Sequence, residues 1–193
     1  MKKIQDFYFK KAKKEGFPAR SVYKLKEAQE RYGFLSQGQR VLELGAYPGS
    51  WTKYSAQLVG GKGRVVAVDL EAMGNLPGNV SFLRADIFEV DPLTLKGILS
   101  AFDVVLSDMA PKTSGVKEAD HLRSIALAER AFYLAVELLN AGGSFFCKIF
   151  QGRDFPGFIK RCKIHFRFVK VVKPKSSRSE SVEAFVLCTG FRQ

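Results

Sequence analysis

The apolar positions along the chain follow two alternating periods. Short runs rich in Val, Leu, Ile and Phe are typical of buried strands, and between them apolar residues recur every three or four positions, as in amphipathic helices. The runs predict strands at Arg40–Leu44, Gly63–Asp69, Val80–Ala85, Phe102–Asp108 and Gly143–Phe150. Helices are predicted at Ala19–Tyr32 (closed by Gly33), Ser50–Leu58, Pro92–Ser100, Ala119–Leu139 and Phe155–Arg161.

Two more strands are predicted at the end of the chain, at Phe166–Val172 and Ala184–Thr189, with no helix between them. Alternating strands and helices predict an α/β fold with a doubly wound, mostly parallel sheet. Because only a loop joins the last two strands, that pair is expected to be antiparallel. The sequence therefore predicts seven strands in one sheet.

The composition is that of a folded protein that does not cross a membrane. The chain has 193 residues, 46% of them hydrophobic, and no apolar run approaches the ~18 residues of a membrane span. The first residues alternate lysine with aromatic residues and do not resemble a signal peptide. Cys147, Cys162 and Cys188 are too widely spaced for a zinc site and are expected to fill the core. We expect a soluble, cytoplasmic protein without a metal.

The net charge of +12 is concentrated at the two ends of the chain. Residues 1–40 carry 11 basic and 4 acidic side chains, and residues 144–193 carry 11 and 3, whereas residues 41–143 carry 9 and 12. Either basic end alone could be a solvated face, and an anionic membrane surface is a weaker alternative. Two basic ends on a globular chain favour a polyanion such as RNA or DNA.

A glycine-containing loop joins the first predicted strand to the helix after it. The strand Val41–Leu44 continues into Gly45-Ala46-Tyr47-Pro48-Gly49-Ser50-Trp51, which is where α/β proteins bind nucleotides. A dinucleotide fingerprint would have glycine where this chain has Tyr47 and Ser50. Because a tyrosine hinders the approach of a pyrophosphate to the backbone, the loop favours a nucleoside ligand over NAD.

Acidic residues follow the second and third predicted strands. Asp69 ends the second strand, 20 residues after Gly49, where a carboxylate can accept hydrogen bonds from both ribose hydroxyls. Asp86 ends the third strand and could accept one from the exocyclic amino group of adenine. Each alone could be an ordinary strand-end aspartate, but with the glycine loop they favour a nucleoside site.

Five segments in order give this pattern a more specific meaning. They are Ala19–Leu25, the glycine loop, Ser107–Pro111, Gly142–Gly152, and Lys173–Ser179 with Val182–Ala184. Through them, and from Asp6 to Phe191, the chain resembles the FtsJ (RrmJ) family of RNA ribose 2'-O-methyltransferases, which bind S-adenosylmethionine on a Rossmann-like sheet. The resemblance implies one methyltransferase domain over residues 1–193, with a basic N-terminal extension and helix at residues 1–33.

The resemblance also implies two sets of functional residues. One is a catalytic tetrad of Lys24, Asp108, Lys148 and Glu183, where Glu180 is a competing acid beside Glu183. The other surrounds the cofactor and comprises Gly49, Trp51, Asp69, Asp86 and Asp108, together with Gly45 of the loop. Trp51 could equally pack in the core. The family has Ala and Gly where this chain has Tyr47 and Ser50, which can alter the fit of the cofactor but removes no member of the tetrad.

The residues around Lys148 predict a buried lysine. The strand Phe145–Phe150 is apolar on both sides of it, and an unpaired cation there would be costly. Burial and a second lysine disfavour the charged form, whereas Asp108 and Glu183 favour it. Lys148 is therefore expected to be either a neutral base for the ribose hydroxyl or a cation that stabilises the developing alkoxide.

Basic residues near both ends are expected to contact RNA phosphates, which position RNA without reading its sequence. They are Lys10, Lys11, Lys13, Lys14, Arg20, Lys173, Lys175 and Arg178. The short chain favours, within the family, a uridine of large-subunit ribosomal RNA as the target and a monomeric enzyme. A tRNA methyltransferase and a non-catalytic RNA-binding assembly factor are the alternatives.

Overall fold

The computed structural model describes residues 2–177 and 181–193, with side chains from residue 7 onward. Within these ranges the helices are α1 Lys2–Lys14, α2 Val22–Tyr32, α3 Ser50–Val59, α4 Pro92–Ile98, α5 Lys117–Leu138 and α6 Phe155–His165. The strands are β1 Arg40–Leu44, β2 Arg64–Asp69, β3 Val80–Arg84, β4 Phe102–Ser107, β5 Leu139–Phe150, β6 Phe166–Val172 and β7 Glu183–Phe191. None of these helices combines the length and apolar character that crossing a membrane requires.

The strands form one seven-stranded sheet in the order β3-β2-β1-β4-β5-β7-β6. Pairing is parallel from β3 through β5 and antiparallel on both sides of β7. The predicted α/β fold and the antiparallel pair at the end of the chain are confirmed. Because β7 lies between β5 and β6, it alone runs against the other strands. The strand order reverses between β1 and β4, where ligands bind in open α/β sheets.

Alternating side chains of the strands form two cores, one on each face of the sheet. Phe145 and Cys147 of β5 face one core, which is covered by α5 and α6. Phe146 of β5 and Phe185 of β7 face the other, which is covered by α2 and α3. By the two-residue period of a strand, Lys148 shares a face with Phe146, on the side of the sheet that α2 covers.

The structure departs from the sequence prediction at helix α1 and strand β5, and it begins α2 at Val22 rather than Ala19 and ends α6 at His165 rather than Arg161. The sequence predicts only a basic extension where the structure has helix α1. This helix packs against the start of α2 through Tyr8 and Ala12, which lie one turn apart. Such a narrow apolar stripe is hard to distinguish from a polar tail. Strand β5 begins at Leu139, which pairs with Phe102 before a register shift in the ladder.

The predicted end of α2 is confirmed. Gly33 has a left-handed φ of 60°, and its N–H donates to the carbonyl of Gln29 at 2.8 Å. Glycine tolerates this conformation without the steric penalty of a side chain. The chain therefore leaves the helix sharply and returns to β1, which fixes α2 against the face of the sheet that carries Lys148.

Candidate active site

Lys148 and Asp108 meet where two parallel strands end. Ser107 of β4 pairs with Cys147 of β5. The residues that follow them, Asp108 and Lys148, therefore lie side by side. Nζ of Lys148 is 2.9 Å from Oδ1 of Asp108 and also donates to the backbone carbonyl of Asp108. Lys148 is only 7% exposed. The buried lysine predicted from the sequence is therefore paired, as the cost of burying a charge requires.

Lys24 and Glu183 form a second pair on the same face of the sheet. Phe150 pairs with Glu183 and Lys148 with Phe185 across β5 and β7, which places Glu183 diagonally from Lys148. From α2, Nζ of Lys24 reaches Oε1 of Glu183 at 2.7 Å and Oε2 at 2.8 Å. Both side chains are largely buried, with 15% and 13% of their surface exposed.

The two pairs influence each other electrostatically. Burial raises the pKa of the Glu183 carboxyl, but Lys24, Lys148 and the hydroxyl of Ser177 together hold that pKa below its ordinary value. The Ser177 hydroxyl donates to Oε1 of Glu183 at 3.0 Å. Glu183 is therefore a carboxylate at neutral pH, and Lys24, Asp108, Lys148 and Glu183 form one cluster of alternating charges.

Aromatic rings support this cluster from the core side. Phe146 stacks on Phe185 with ring centroids 5.0 Å apart, and Trp51 stacks on Phe146 at 5.6 Å. The Phe185 ring lies 5.6 Å below Nζ of Lys24. Trp51 is 2% exposed, and its Nε1–H donates to the carbonyl of Ser21, just before α2. Trp51 thus packs in the core and fixes the helix that carries Lys24, and it also lines a small recess beside Gly45 and Asp108.

A cavity of about 360 Å³ opens at the carboxyl ends of β1, β2, β3 and β4. Three predicted cofactor ligands, Asp69, Asp86 and Asp108, line it together with Gly45. Each aspartate comes from a different strand end, so three carboxylates converge on one cavity. The arrangement can accept hydrogen bonds from several donors of one ligand.

The two glycines of the loop have different surroundings. Gly45 has a φ of +76°, and a Cβ there would lie 2.5 Å from Cγ of Met109 and 3.1 Å from its backbone. No larger residue fits, because Met109 follows Asp108 and must stay close to the loop. Gly49 has a φ of +96° and precedes α3, and a Cβ there would make only an ordinary contact, 3.6 Å from Sδ of Met73. It shapes the loop but is not among the residues that line the cavity.

Asp69 also holds the glycine loop in place. Its Oδ2 accepts a hydrogen bond from the Tyr47 amide at 2.8 Å, and its Oδ1 accepts one from the Glu71 amide at 2.9 Å. The Tyr47 side chain stands at the mouth of the cavity and is 57% exposed. The ring therefore does not fill the cavity, and the expectation that it hinders a bulky ligand group applies only to the entrance.

The sequence model of the FtsJ-like methyltransferase family matches residues 17–191. The chain belongs to this family. It is therefore a methyltransferase, and the class of enzyme predicted from the five segments is confirmed. The match spans α2, the whole sheet and all the residues of the two ion pairs.

Relatives of similar length support the membership. "Ribosomal RNA large subunit methyltransferase E" of Desulfatibacillum aliphaticivorans is 50% identical over 184 residues, which cover 95% of this chain and 89% of the relative. The protein of that name from Oleidesulfovibrio alaskensis is 49% identical over 195 residues, covering 100% of this chain and 94% of the relative.

Two solved structures share the fold. One, from Plasmodium falciparum and bearing the name of a ribosomal RNA methyltransferase, superposes with a TM-score of 0.82 at 29% identity, covering 91% of this chain and 98% of its own. The other, from Clostridium thermocellum, has a TM-score of 0.62 at 20% identity, covering 86% of this chain and 96% of its own, and shows the common fold alone.

Sequence reasoning missed Glu43, which lies in β1 two residues before Gly45. It is buried, and its Oε2 has no hydrogen-bond partner among residues 2–177 and 181–193. Burial raises the pKa of Glu43 to about 8, with Asp108 and Asp69 contributing in the same direction. It lines a small recess with Ser21, Gly45 and Asp108. The available signal was an acid inside an apolar strand directly before the glycine loop.

The residues predicted to contact RNA are mostly exposed on the surface of the described residues. Lys10, Lys11, Lys13 and Lys14 of α1 are exposed, as are Lys173 and Lys175 after β6, while Arg20 is half-buried. Arg178 and the competing acid Glu180 lie outside the described residues. Within the described ranges, no group of three or more potential ligands is arranged for a metal ion.

Proposed function

We propose that this methyltransferase transfers a methyl group from S-adenosylmethionine to a ribose 2'-OH of RNA, in particular a uridine of large-subunit ribosomal RNA. The observation that carries the proposal is the convergence of Lys24, Asp108, Lys148 and Glu183 beside a nucleoside-sized cavity. Membership of the FtsJ-like family and the printed names of the relatives support the reaction and the RNA substrate.

The residues around the cavity fit S-adenosylmethionine. Asp69 and Asp86 offer carboxylate oxygens to the hydroxyl and amino hydrogens of its adenosine part. The recess beside them contains the unpartnered Oε2 of Glu43, which suits the ammonium group of the methionine part. When bound, S-adenosylmethionine supplies a methyl group already activated by a sulfonium. Asp108 lines both spaces and would lie between the two parts.

Lys148 is proposed to contact the ribose 2'-oxygen. Nζ donates to two oxygens of Asp108, a geometry typical of an ammonium held by a carboxylate. An ammonium has a third hydrogen, which remains for the hydroxyl oxygen. That oxygen accepts the methyl group and gives its own proton to water, and the third hydrogen of Lys148 stabilises the negative charge that develops on it meanwhile. Stabilising that charge in a buried site lowers the barrier more than it would in water.

Lys24 and Glu183 are proposed to complete the site around the ribose. Glu183 keeps Lys24 over the Phe185 ring, so the substrate meets a second fixed positive charge beside Lys148. Holding the hydroxyl in place removes part of the entropic cost of the reaction. Lys24 thus brings α2 into contact with the reacting groups. Helix α2 follows α1, whose lysines form the basic N-terminal surface.

RNA is proposed to lie across the basic surface formed by α1 and the segment after β6. The exposed lysines there are Lys10, Lys11, Lys13, Lys14, Lys173 and Lys175, with Arg20 beside them and Arg178 in the sequence that follows. We propose that residues 1–193 act as one methyltransferase domain, as a monomer in the cytoplasm. Phosphate contacts of this kind weaken steeply as the salt concentration rises.

The proposal is tested by measuring methyl incorporation into purified large ribosomal subunits, free ribosomal RNA and tRNA, followed by mass spectrometric mapping of 2'-O-methylated residues. We expect incorporation at a uridine of the large-subunit RNA. Lys148→Ala should abolish it without weakening S-adenosylmethionine binding, whereas Lys170→Ala, which removes an exposed lysine of β6, should not. Incorporation only into tRNA would reassign the substrate, and intact RNA binding without incorporation would indicate an assembly factor.

A further inference from the structure

The segment between β6 and β7 presents its basic side chains in a fixed pattern. Lys173 and Lys175 are exposed, while Pro174 and Ser176 between and after them are buried. A hydrogen bond from the Ser177 amide to the Pro174 carbonyl, 3.0 Å long, closes a four-residue turn. The alternation turns the Lys175 side chain outwards and anchors the backbone through the buried residues on either side of it. Nζ of Lys173, also exposed, donates to the backbone carbonyl of Ser181 at 3.1 Å.

Glu27 of α2 binds the middle of this turn. Its Oε2 accepts a hydrogen bond from the Lys175 amide at 2.6 Å, and its Oε1 accepts one from the Ser176 amide at 3.0 Å. The two central amides of a turn point out of it and need an acceptor. One carboxylate that accepts from two successive amides is a charge-assisted contact in a backbone anion site. The contact joins parts of the chain separated by 148 and 149 positions.

The same face of α2 holds the other end of the segment. Lys24 precedes Glu27 by three residues, so both side chains project from one side of the helix. Lys24 binds Glu183 at the start of β7, and the hydroxyl of Ser177, the last residue of the turn, donates to that same carboxylate. The helix therefore holds the turn through Glu27 and the strand through Lys24, with Ser177 joining the two.

We propose that Glu27 is a positioning residue for RNA. It fixes the Pro174–Ser177 turn against α2, holds Ser177 on Glu183, and keeps Lys175 directed towards the phosphates beside the reacting ribose, next to Lys173, whose Nζ donates to the Ser181 carbonyl. This inference rests on the proposed function, because the turn serves RNA only if RNA is the substrate. Glu27 itself touches neither the cavity nor the Lys148–Asp108 pair.

The test compares Glu27→Ala and Glu27→Gln with Glu30→Ala. Glu30 is exposed on the same helix, one turn further along, and accepts no hydrogen bond from the described residues. Losing two charge-assisted contacts should raise the KM for large ribosomal subunits about 10-fold or more in Glu27→Ala. Its kcat should change less, and its S-adenosylmethionine affinity should stay within about twofold of that of the wild type. Glu27→Gln should be intermediate, because its amide oxygen can accept from only one of the two N–H groups.

Release of the turn can be measured without activity, by the rate of trypsin cleavage after Lys175. The bond after Lys173 resists trypsin because Pro174 follows it, so cleavage at Lys175 reports on opening of the turn. Cleavage should be faster in both Glu27 variants and unchanged in Glu30→Ala. If Glu27→Ala matches Glu30→Ala in KM and in cleavage rate, the inference is wrong.

Two other outcomes are equally decisive. A parallel loss of melting temperature, S-adenosylmethionine affinity and kcat in both Glu27 variants would show a general structural role and overturn the inference. If the wild type transfers no methyl group while the Glu27 variants are still cleaved faster after Lys175, the proposed function fails and the anchoring of the turn stands as a structural fact without a role in RNA binding.

Discussion

Lys24 and Glu183 lie 159 positions apart in the sequence, yet Nζ of Lys24 is within 2.8 Å of both carboxylate oxygens of Glu183. The contact connects a helix that precedes the sheet to the last strand inserted into it. It places a fixed charge beside the Lys148–Asp108 pair. The pair therefore connects the helix that covers this face of the sheet to the strand that lies beside Lys148.

This pairing predicts that Lys24 and Glu183 act as a unit. Lys24→Ala and Glu183→Ala should each lower kcat/KM by about 100-fold or more, because each leaves the other charge without its partner. The double variant should cost little more than either single one, since residues that act together are not additive. Steady-state kinetics of the four proteins give the coupling. Lys26→Ala serves as the control, because it removes a neighbouring lysine that is paired with Glu15 at 2.6 Å. If the double variant loses kcat/KM by the product of the two single losses, Lys24 and Glu183 do not share a role.

The contacts of Lys148 predict the pH dependence of the chemical step. A lysine that acts as a cation towards the ribose oxygen does not need to lose its proton, so kcat should not increase with pH above neutrality. Single-turnover rates from about pH 6 to about pH 10 test this. A tenfold increase in rate per pH unit would instead assign Lys148 as a neutral general base. Glu183→Gln measured in parallel shows whether an acidic limb belongs to Glu183, whose pKa lies below its ordinary value.

Asp69 is expected to matter for the cofactor in two ways. It faces the cavity, and it holds the Tyr47 amide at 2.8 Å. Asp69→Ala removes an acceptor for the ribose hydroxyls and also frees the glycine loop, so the Kd for S-adenosylmethionine should rise by about 10-fold or more. Titration calorimetry measures this directly. Glu71→Ala keeps the amide that binds Asp69 but removes an exposed carboxylate next to it, and should bind as the wild type does. An unchanged Kd in Asp69→Ala would exclude the ribose role.

The sequence predicted the sheet for clear physical reasons, whereas the members of both ion pairs were identified through the resemblance to the family. Alternating apolar runs mark the strands, and the carboxyl ends of parallel strands meet at one edge, so Asp108 and Lys148 were expected at the same crevice. The Lys24–Glu183 pair came only from the resemblance to the family, because no periodic pattern shows how α2 crosses the sheet. The roles of the RNA-contacting lysines remain predictions.

Two carboxylates were missed because their roles depend on packing that no sequence pattern shows. Glu27 looks like an ordinary polar residue on an exposed helix face, and its two acceptor bonds become visible only when the turn after β6 is placed against α2. Glu43 stands within an apolar strand, which pattern analysis interprets as a strand with one polar position. Its burial and its unpartnered oxygen depend on how α3 packs over β1.

Glu43 predicts an unusual dependence of stability on pH. Its pKa rises from an ordinary value of 4.5 to about 8 in the folded protein, so between these values the folded chain binds one proton more than the unfolded chain. The stabilisation is complete below the pKa that Glu43 has in the unfolded chain. It is lost as the pH rises towards the pKa that Glu43 has in the folded protein. From about pH 5 to about pH 7.5, the unfolding free energy of the wild type should therefore fall by about 1.4 kcal/mol per pH unit relative to that of Glu43→Gln, which cannot titrate. Urea unfolding of both proteins across this range isolates the contribution of Glu43, because all other groups titrate alike. If the unfolding free energies of the two proteins change in parallel with pH, Glu43 is already ionised in the folded protein across this range. The recess that Glu43 lines would then hold a buried negative charge without a partner when no ligand is bound.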